Sequence, residues 1–153
     1  DFLYLVECTS IIRNILHANL IVNDKTGKLI VISAPSGTGK TTLVRGVLQN
    51  LNWRDVVTSP SYTLCEEYEI DGRLLLHIDL YRINSTEDVE VLNLDREIAM
   101  PKIIFIEWPE NLQTDRNVDV IIDLEHDNQA RHASIECKDT NIESSIKTYY
   151  ENE

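Results

Sequence analysis

The strongest chemical signal in the sequence is the segment Ala34-Pro-Ser-Gly-Thr-Gly-Lys-Thr-Thr42, which lies between an apolar run and an amphipathic stretch. Glycines let a backbone curl so that successive N–H groups point at a phosphate, and a following helix adds its positive end. Strand, glycine-rich turn and helix in this order are the context of a Walker A loop, which binds nucleoside triphosphates. The residues expected to contact the nucleotide are those of the turn: Gly37, Thr38, Gly39, Lys40, Thr41 and Thr42.

Three side chains of this segment have distinct expected roles. Lys40 neutralises charge on the terminal phosphate, the Thr41 hydroxyl coordinates Mg²⁺, and Thr42 donates to a more internal phosphate. The pattern G-x-x-x-x-G-K-[ST] has glycine where this chain has Ala34. Alanine fits there if its backbone is extended, because its methyl group is penalised chiefly at positive φ. The loop therefore predicts a nucleotide with Mg²⁺, and sequence motifs alone leave ATP and GTP both open.

A metal bound at such a loop also needs a carboxylate, usually at the end of an apolar strand. Two runs end in this way, Leu74-Leu-Leu-His-Ile-Asp79 and Ile103-Ile-Phe-Ile-Glu107. Without the Walker A loop, each acid would more often be a solvated carboxylate at a strand end than an acid beside a metal. The presence of the loop makes the metal-side role the preferred interpretation of both acids. We expect both acids beside the metal, with Lys40 stabilising charge and Asp79 or Glu107 orienting water.

The elements that position these residues alternate between strand and helix patterns. Strands are predicted at Leu29–Ser33, Thr63–Ile70, Arg73–Tyr81, Lys102–Glu107, Val118–Glu125 and Ala130–Cys137. Helices are predicted at Thr9–Leu20, from Thr42 to near Asn52, and from an N-cap at Ser85 to about Leu94. Asp71-Gly72 predicts a tight hairpin. We expect one α/β domain over residues 1–153, P-loop NTPase-like, with a mixed parallel and antiparallel sheet flanked by helices, a core at about 9–137 and a tail at 138–153.

Composition excludes several classes of function. The net charge of −12 opposes autonomous binding to nucleic acid, because phosphate contacts require clustered Lys and Arg. No apolar run approaches the length of a membrane span, so a cytoplasmic protein is expected. The three cysteines are odd in number and widely spaced, and the histidines show no helical pairing, so neither a disulfide framework nor a zinc site is indicated.

Four segments resemble one known family in their order and spacing: Gly37–Gly46, Ser59–Tyr68, His77–Arg82 and Ile106–Glu110. The family is TsaE (also called YjeE), P-loop ATPases required for threonylcarbamoyladenosine modification of bacterial tRNA, and the resemblance runs from about Thr9 to about Glu136. It implies that Glu107 is the metal-side acid, Asp79 the acid needed for ATPase function, and Trp108 the aromatic residue beside the nucleotide. It also implies that Thr9 contacts the nucleotide and that residues 59–63 form a switch-like loop.

The resemblance further implies the TsaD and TsaB proteins as partners, and tRNA bound through the assembly. An arginine finger is not evident in the motifs, where the candidates are Arg45, Arg82 and Arg131, so intrinsic ATP hydrolysis is expected to be slow and dependent on partners. Ala34-Pro35 replaces the family's usual Gly-Asp, which favours an alternative in which the protein is a non-catalytic nucleotide sensor. The loop phrase also resembles guanylate kinases, a second alternative, but the GMP-binding residues of that family are not found beyond the loop.

Overall fold

The computed structural model describes residues 2–4, 27–112, 116–127, 130–138, 140 and 143–144. The strands are β1 (Phe2–Tyr4), β2 (Lys28–Ser33), β3 (Cys65–Ile70), β4 (Arg73–Asp79), β5 (Lys102–Glu107), β6 (Val120–Asp127) and β7 (Ala130–Cys137). Helix α1 spans Lys40–Asn50 and helix α2 spans Thr86–Val91, a 3₁₀ turn follows β5 at Pro109–Asn111, and residues 140 and 143–144 are also helical. The helix predicted at Thr9–Leu20 and most of the tail predicted at 138–153 lie outside the described residues.

The strands form one sheet in the order β1-β7-β6-β2-β5-β4-β3. β2 lies between β5 and β6 and is parallel to both, and β4 is parallel to β5. β3 is antiparallel to β4, and β7 is antiparallel to β6 and β1. The predicted mixed α/β sheet is therefore confirmed. Because parallel strands end at the same edge, the residues that follow β2, β4 and β5 meet there.

Each face of the sheet packs against its own apolar cluster. On one face, Ile30, Ile32 and Phe105 pack with the apolar side of α1, which consists of Leu43, Val44, Val47 and Leu48. On the other face, Val31, Ile78 and Ile106 pack with residues from α2 and the loops, among them Leu80, Ile83, Val89 and Leu94. The central strands are thus covered on both sides, which is why they are continuous apolar runs in the sequence. None of the described helices is long and apolar enough to cross a membrane.

Two local predictions hold in detail. Asp71 and Gly72 both have positive φ, 50° and 71°, as a two-residue hairpin turn requires, and β3 pairs with β4 on either side of them. Ser85 has extended backbone and caps α2, since its hydroxyl accepts a hydrogen bond from the Asp88 N–H at 3.2 Å.

Several predicted boundaries shift by one to three residues, for local reasons. α2 ends at Val91 rather than near Leu94, because Asn93 takes a positive φ of 46° that interrupts the helix. β3 begins at Cys65 rather than Thr63, because Leu64 also has a positive φ, 65°. β4 ends at Asp79 rather than Tyr81, because the Tyr81 N–H turns back to bond the Asp79 carboxylate.

Candidate functional site

A cleft of about 580 Å³ lies at the edge where β2, β4 and β5 end. Four parts of the chain line it: the turn between β2 and α1, the first residues of α1, the segment around Ser61 and Tyr62, and the residues that end or follow β4 and β5. The predicted site residues that line the cleft are Gly37, Gly39, Lys40, Thr41, Thr42, Asp79, Glu107 and Trp108. Residues from distant parts of the sequence are thus brought into one concave surface.

The turn between β2 and α1, here called the glycine loop (residues 34–39), uses its glycines for backbone geometry. Gly37 and Gly39 have φ values of 77° and 103°, which side-chain-bearing residues rarely adopt. Ala34 is not among the described residues with positive φ, so its methyl group fits where the Walker A pattern has glycine. Thr38 is fully buried, and its hydroxyl donates to the Pro35 carbonyl instead of lining the cleft.

Lys40, the first residue of α1, is almost completely buried. Its Nζ donates to the carbonyls of Ala34 at 2.8 Å and Pro35 at 3.1 Å, and lies 4.2 Å from the centre of the Trp108 ring. Burial lowers the pKa of Lys40, while the nearby carboxylates, Glu107 and Asp79 foremost, act to raise it. The ammonium group is therefore held by carbonyl oxygens and an aromatic face, without an ion pair to either acid within the described residues.

The two strand-end acids are direct neighbours. Asp79 ends β4 and Glu107 ends β5, and they are register partners in the parallel pair. Each is only 4% exposed. Asp79 accepts from the Tyr81 N–H through Oδ1 at 2.9 Å and from the Ser61 hydroxyl through Oδ2 at 2.8 Å. The Thr41 hydroxyl donates to Glu107 Oε1 at 3.0 Å, which joins the start of α1 to the end of β5.

Two contacts in this group were not predicted from the sequence. The Ser61 hydroxyl ties the segment 59–63 to Asp79, and Ser61 and Ser59 share a hydrogen bond of 2.8 Å. His77 is fully buried, and its Nε2 lies 2.7 Å from Glu107 Oε1. The period of two along a strand was an available signal for the histidine, because it puts His77 on the same face as Asp79.

Trp108 is fixed by a left-handed backbone, with φ 60° and ψ 55°, just before Pro109 begins the 3₁₀ turn. Its ring lies 4.9 Å from the Tyr81 ring at an interplanar angle of 47°. An aromatic surface therefore borders the cleft beside Lys40. Such a surface can stack on a planar ligand.

The predicted arginine candidates are separated by the fold. Arg82 lines the cleft, with its guanidinium 4.4 Å from the centre of the Tyr62 ring. Arg45 donates to the Val57 carbonyl at 3.3 Å, and Arg131 lies on β7, two strands away from β2. Neither of these two is among the residues that line the cleft. Thr9 lies outside the described residues.

A family model described as "Threonylcarbamoyl adenosine biosynthesis protein TsaE" matches residues 9–135. The chain belongs to the TsaE family. The resemblance recognised from the four sequence segments is thereby confirmed, and it extends over most of the chain. The residues of the cleft from Ser36 to Trp108 all lie inside the part that the TsaE model matches.

Individual members of the TsaE family agree with this assignment, and a solved structure agrees with the fold. The chain is 33% identical over 138 residues to the tRNA threonylcarbamoyladenosine biosynthesis protein TsaE of Haemophilus influenzae, covering 88% of this chain and 87% of that one. It is 41% identical over 93 residues to the protein of the same name from Nostoc, covering 56% and 55%. The crystal structure of Bacillus subtilis YdiB superposes with a TM-score of 0.66 at 18% identity, over 99% of this chain and 96% of that chain, and supports the fold.

Proposed function

We propose that this TsaE-family protein binds ATP with Mg²⁺ in the cleft and hydrolyses it slowly, as a component of tRNA threonylcarbamoyladenosine biosynthesis. The observation that carries the proposal is the contact of 3.0 Å between the Thr41 hydroxyl and Glu107 Oε1, with the Lys40 ammonium beside them. It brings a hydroxyl, a carboxylate and a buried cation together at the end of a glycine-rich turn. These are the groups that a metal-bound triphosphate requires.

The residues present fit both ligands. A volume of about 580 Å³ is in the usual range for a small-molecule site, and Trp108 offers a flat face for a base. Among the described residues, no group of three or more His, Cys, Asp or Glu side chains is placed to hold a metal alone. Mg²⁺ normally takes one or two protein oxygens together with phosphate oxygens and water, so Thr41 and Glu107 suffice.

The side chains divide the work of binding and hydrolysis. The Lys40 ammonium exchanges the carbonyls of Ala34 and Pro35 for phosphate oxygens, which strengthens its interaction because the new partner is charged. Gly37 and Gly39 allow the backbone N–H groups of the loop to face the phosphates. Bound Mg²⁺ supplies further neutralisation of the phosphate charge. Asp79 orients the attacking water. Arg82 lines the cleft and is the arginine placed to stabilise negative charge on the phosphates.

The alternative of a nucleotide sensor has one specific observation in its favour. Both oxygens of Asp79 already accept hydrogen bonds, from Ser61 and from the Tyr81 N–H. A ligand that draws Asp79 away from Ser61 would release the segment 59–63, and this change could signal occupancy without turnover. Single-turnover hydrolysis with and without partner proteins separates a sensor from an ATPase. The guanylate-type kinase has no such support, since the family that matches is TsaE.

TsaD and TsaB are the partners we propose, with tRNA bound by the assembly in the cytoplasm. The net charge of −12 supports the binding of tRNA by the assembly rather than by this chain alone, because an acidic protein repels the phosphate backbone of RNA. The isolated chain should show no appreciable tRNA affinity at physiological salt by fluorescence anisotropy. Tight, salt-sensitive binding of tRNA by this chain alone would contradict the proposal.

Tryptophan fluorescence tests nucleotide binding directly. Trp108 borders the cleft, whereas Trp53 packs edge-on against Tyr68 with ring centroids 5.2 Å apart. Trp53→Phe keeps an aromatic ring at that contact and leaves Trp108 as the reporter. Titration with Mg·ATP should give a saturable change, and Mg·GTP a weaker one if the site selects adenine. If neither nucleotide changes the fluorescence, and calorimetry shows no heat of binding, the cleft is not a nucleotide site.

A further inference from the structure

His77 is a fully buried polar side chain to which the proposed mechanism gives no role. It lies on β4, where its register partners are Glu66 of β3 and Phe105 of β5. Nε2 lies 2.7 Å from Glu107 Oε1, and Nδ1 is buried with no hydrogen-bond partner among the described residues. Since a carboxylate oxygen only accepts, Nε2–H is the donor.

Stability of the fold does not explain a histidine at this position. The preceding residue on the same strand face, Leu75, belongs to the apolar cluster under α1, and so does Phe105 on β5. Burying an imidazole with one nitrogen unpaired costs free energy that an apolar side chain would avoid. The compensating interaction is the hydrogen bond to Glu107, so the function of His77 is to be sought at that carboxylate.

The two donors to Glu107 differ in what metal binding does to them. Thr41 and His77 both donate to Oε1, and no described residue donates to Oε2. In the proposed function the Thr41 hydroxyl coordinates Mg²⁺, so its hydrogen bond to Glu107 is given up for the metal when Mg²⁺ binds. The His77 bond involves no group that the nucleotide or the metal needs, and it can persist.

We propose that His77 is a positioning residue that holds the Glu107 carboxylate through Oε1 and leaves Oε2 for the metal. A carboxylate held in place loses less conformational freedom on binding Mg²⁺, and hydrogen-bonded partners of this kind commonly change metal affinity about 10-fold to 100-fold. This inference rests on the proposed function, because it takes Glu107 to be the acid on the metal side.

Two substitutions of similar polarity separate positioning from packing. In His77→Gln the amide nitrogen reaches about as far from the backbone as Nε2, so the hydrogen bond to Glu107 can be kept. In His77→Asn the amide reaches only as far as Nδ1, so the bond is lost. ATP affinity is measured by calorimetry for both variants and the parental chain, over a series of Mg²⁺ concentrations and in EDTA.

His77→Asn should shift the Mg²⁺ concentration for half-maximal tightening of ATP binding upward by about 10-fold. Its ATP affinity in EDTA should stay at the parental value, and His77→Gln should restore most of the Mg²⁺ dependence. A parental Mg²⁺ dependence in His77→Asn, or an equal shift in both variants, overturns the role of His77. If the parental chain shows no Mg²⁺-dependent binding of ATP, the proposed function fails instead.

A measurement on the parental protein keeps the test decisive if the substitutions prevent folding. Long-range ¹H–¹⁵N spectra of the histidine rings should show the His77 proton on Nε2. That signal should move when Mg²⁺ is added to the ATP complex, and less when ATP is added in EDTA. An Nε2 signal that Mg²⁺ leaves unchanged contradicts the positioning role.

Discussion

Each of the two edges of the central sheet, where the parallel strands begin and where they end, carries a lysine whose ammonium group donates to backbone carbonyls; Lys40 is buried and Lys102 is partly exposed. At the amino edge, Lys102 Nζ donates to the carbonyls of Leu94 and Arg96, each at 2.7 Å. At the carboxyl edge, Lys40 Nζ donates to the carbonyls of Ala34 and Pro35. Burial lowers the pKa of both lysines. The acids around them, however, differ in their partners.

At the amino edge the acids are paired with cations. Asp95 forms two hydrogen bonds with Arg116, at 2.6 and 2.7 Å, and Asp119 lies 3.8 Å from Lys28. At the carboxyl edge, Asp79 and Glu107 accept from neutral donors and from a histidine, while Lys40 pairs with neither of them. At the carboxyl edge, the lysine and the two acids lie in one cleft without forming an ion pair, so they remain available to bind a ligand. The charged groups at the amino edge are already paired with each other, so they stabilise the fold.

Lys40→Ala is expected to have the largest effect. ATP affinity should fall about 100-fold or more, because a charged hydrogen bond to phosphate is lost. Thermal stability should change little, since Pro35 is exposed and water can reach the loop. Lys102→Ala is the matched control: it should lower stability by about 1–3 kcal/mol through the unsatisfied carbonyls and leave ATP affinity unchanged. Calorimetric titration and thermal melts measure both, and equal effects of the two substitutions on ATP binding would remove the distinction between the edges.

Asp79→Ala should lower ATP hydrolysis in the complex with partner proteins by about 100-fold, as for loss of a group that positions water in the transition state. ATP affinity should remain close to the parental value. Ser61→Ala, which removes only the hydrogen bond from the segment 59–63, is the control. If both variants lose turnover equally, Asp79 acts through that segment, and parental turnover in Asp79→Ala would end its catalytic assignment.

Glu107→Ala should weaken Mg²⁺-dependent ATP binding by at least about 10-fold, and turnover with it, because a counter-charge to the metal is removed. Affinity in EDTA should be unaffected. Glu110→Ala is the control, since this exposed acid acts on Lys40 through charge but is not among the residues that line the cleft. A parental Mg²⁺ dependence in Glu107→Ala would show that the metal lies elsewhere.

Local patterns predicted much of this arrangement, because their causes are local. The Asp71-Gly72 turn, the Ser85 cap and the glycine loop each follow from the backbone preferences of a few adjacent residues. The acids at the ends of β4 and β5 could be placed because each ends an apolar run, and parallel strands end at one edge.

What depends on register and tertiary packing could not be predicted. The contact of His77 with Glu107 requires β4 and β5 to pair with Asp79 opposite Glu107, and no local signal fixes that alignment. The hydrogen bond from Ser61 to Asp79 likewise depends on the path of a loop. Leu94, where the helix was predicted to end, is buried, but it is reached by a turn at Asn93 instead of by continued helix. The apolar pattern gave no indication of the positive φ at Asn93.

The smallest effect is expected from the charge pair of the amino edge. The hydrogen bonds from Arg116 hold the pKa of Asp95 below its ordinary value of 3.8. At pH values above that ordinary pKa, the pair of Asp95 and Arg116 therefore stabilises the fold. This contribution is lost as the pH falls through the lower pKa that Asp95 has in the folded state. Because the Asp95 side chain is 78% exposed, solvent screening limits the contribution to about 0.2–1 kcal/mol.

Asp95→Asn should lower the free energy of unfolding by this small amount at neutral pH, as measured by urea titration. The difference between variant and parental chain should shrink at 1 M salt, where screening is strong, and vanish below the folded pKa of Asp95. ATP affinity should not change, because Asp95 lies at the edge opposite the cleft. A change in ATP affinity as large as that caused by Lys40→Ala would mean that the paired charges of the amino edge also serve the site.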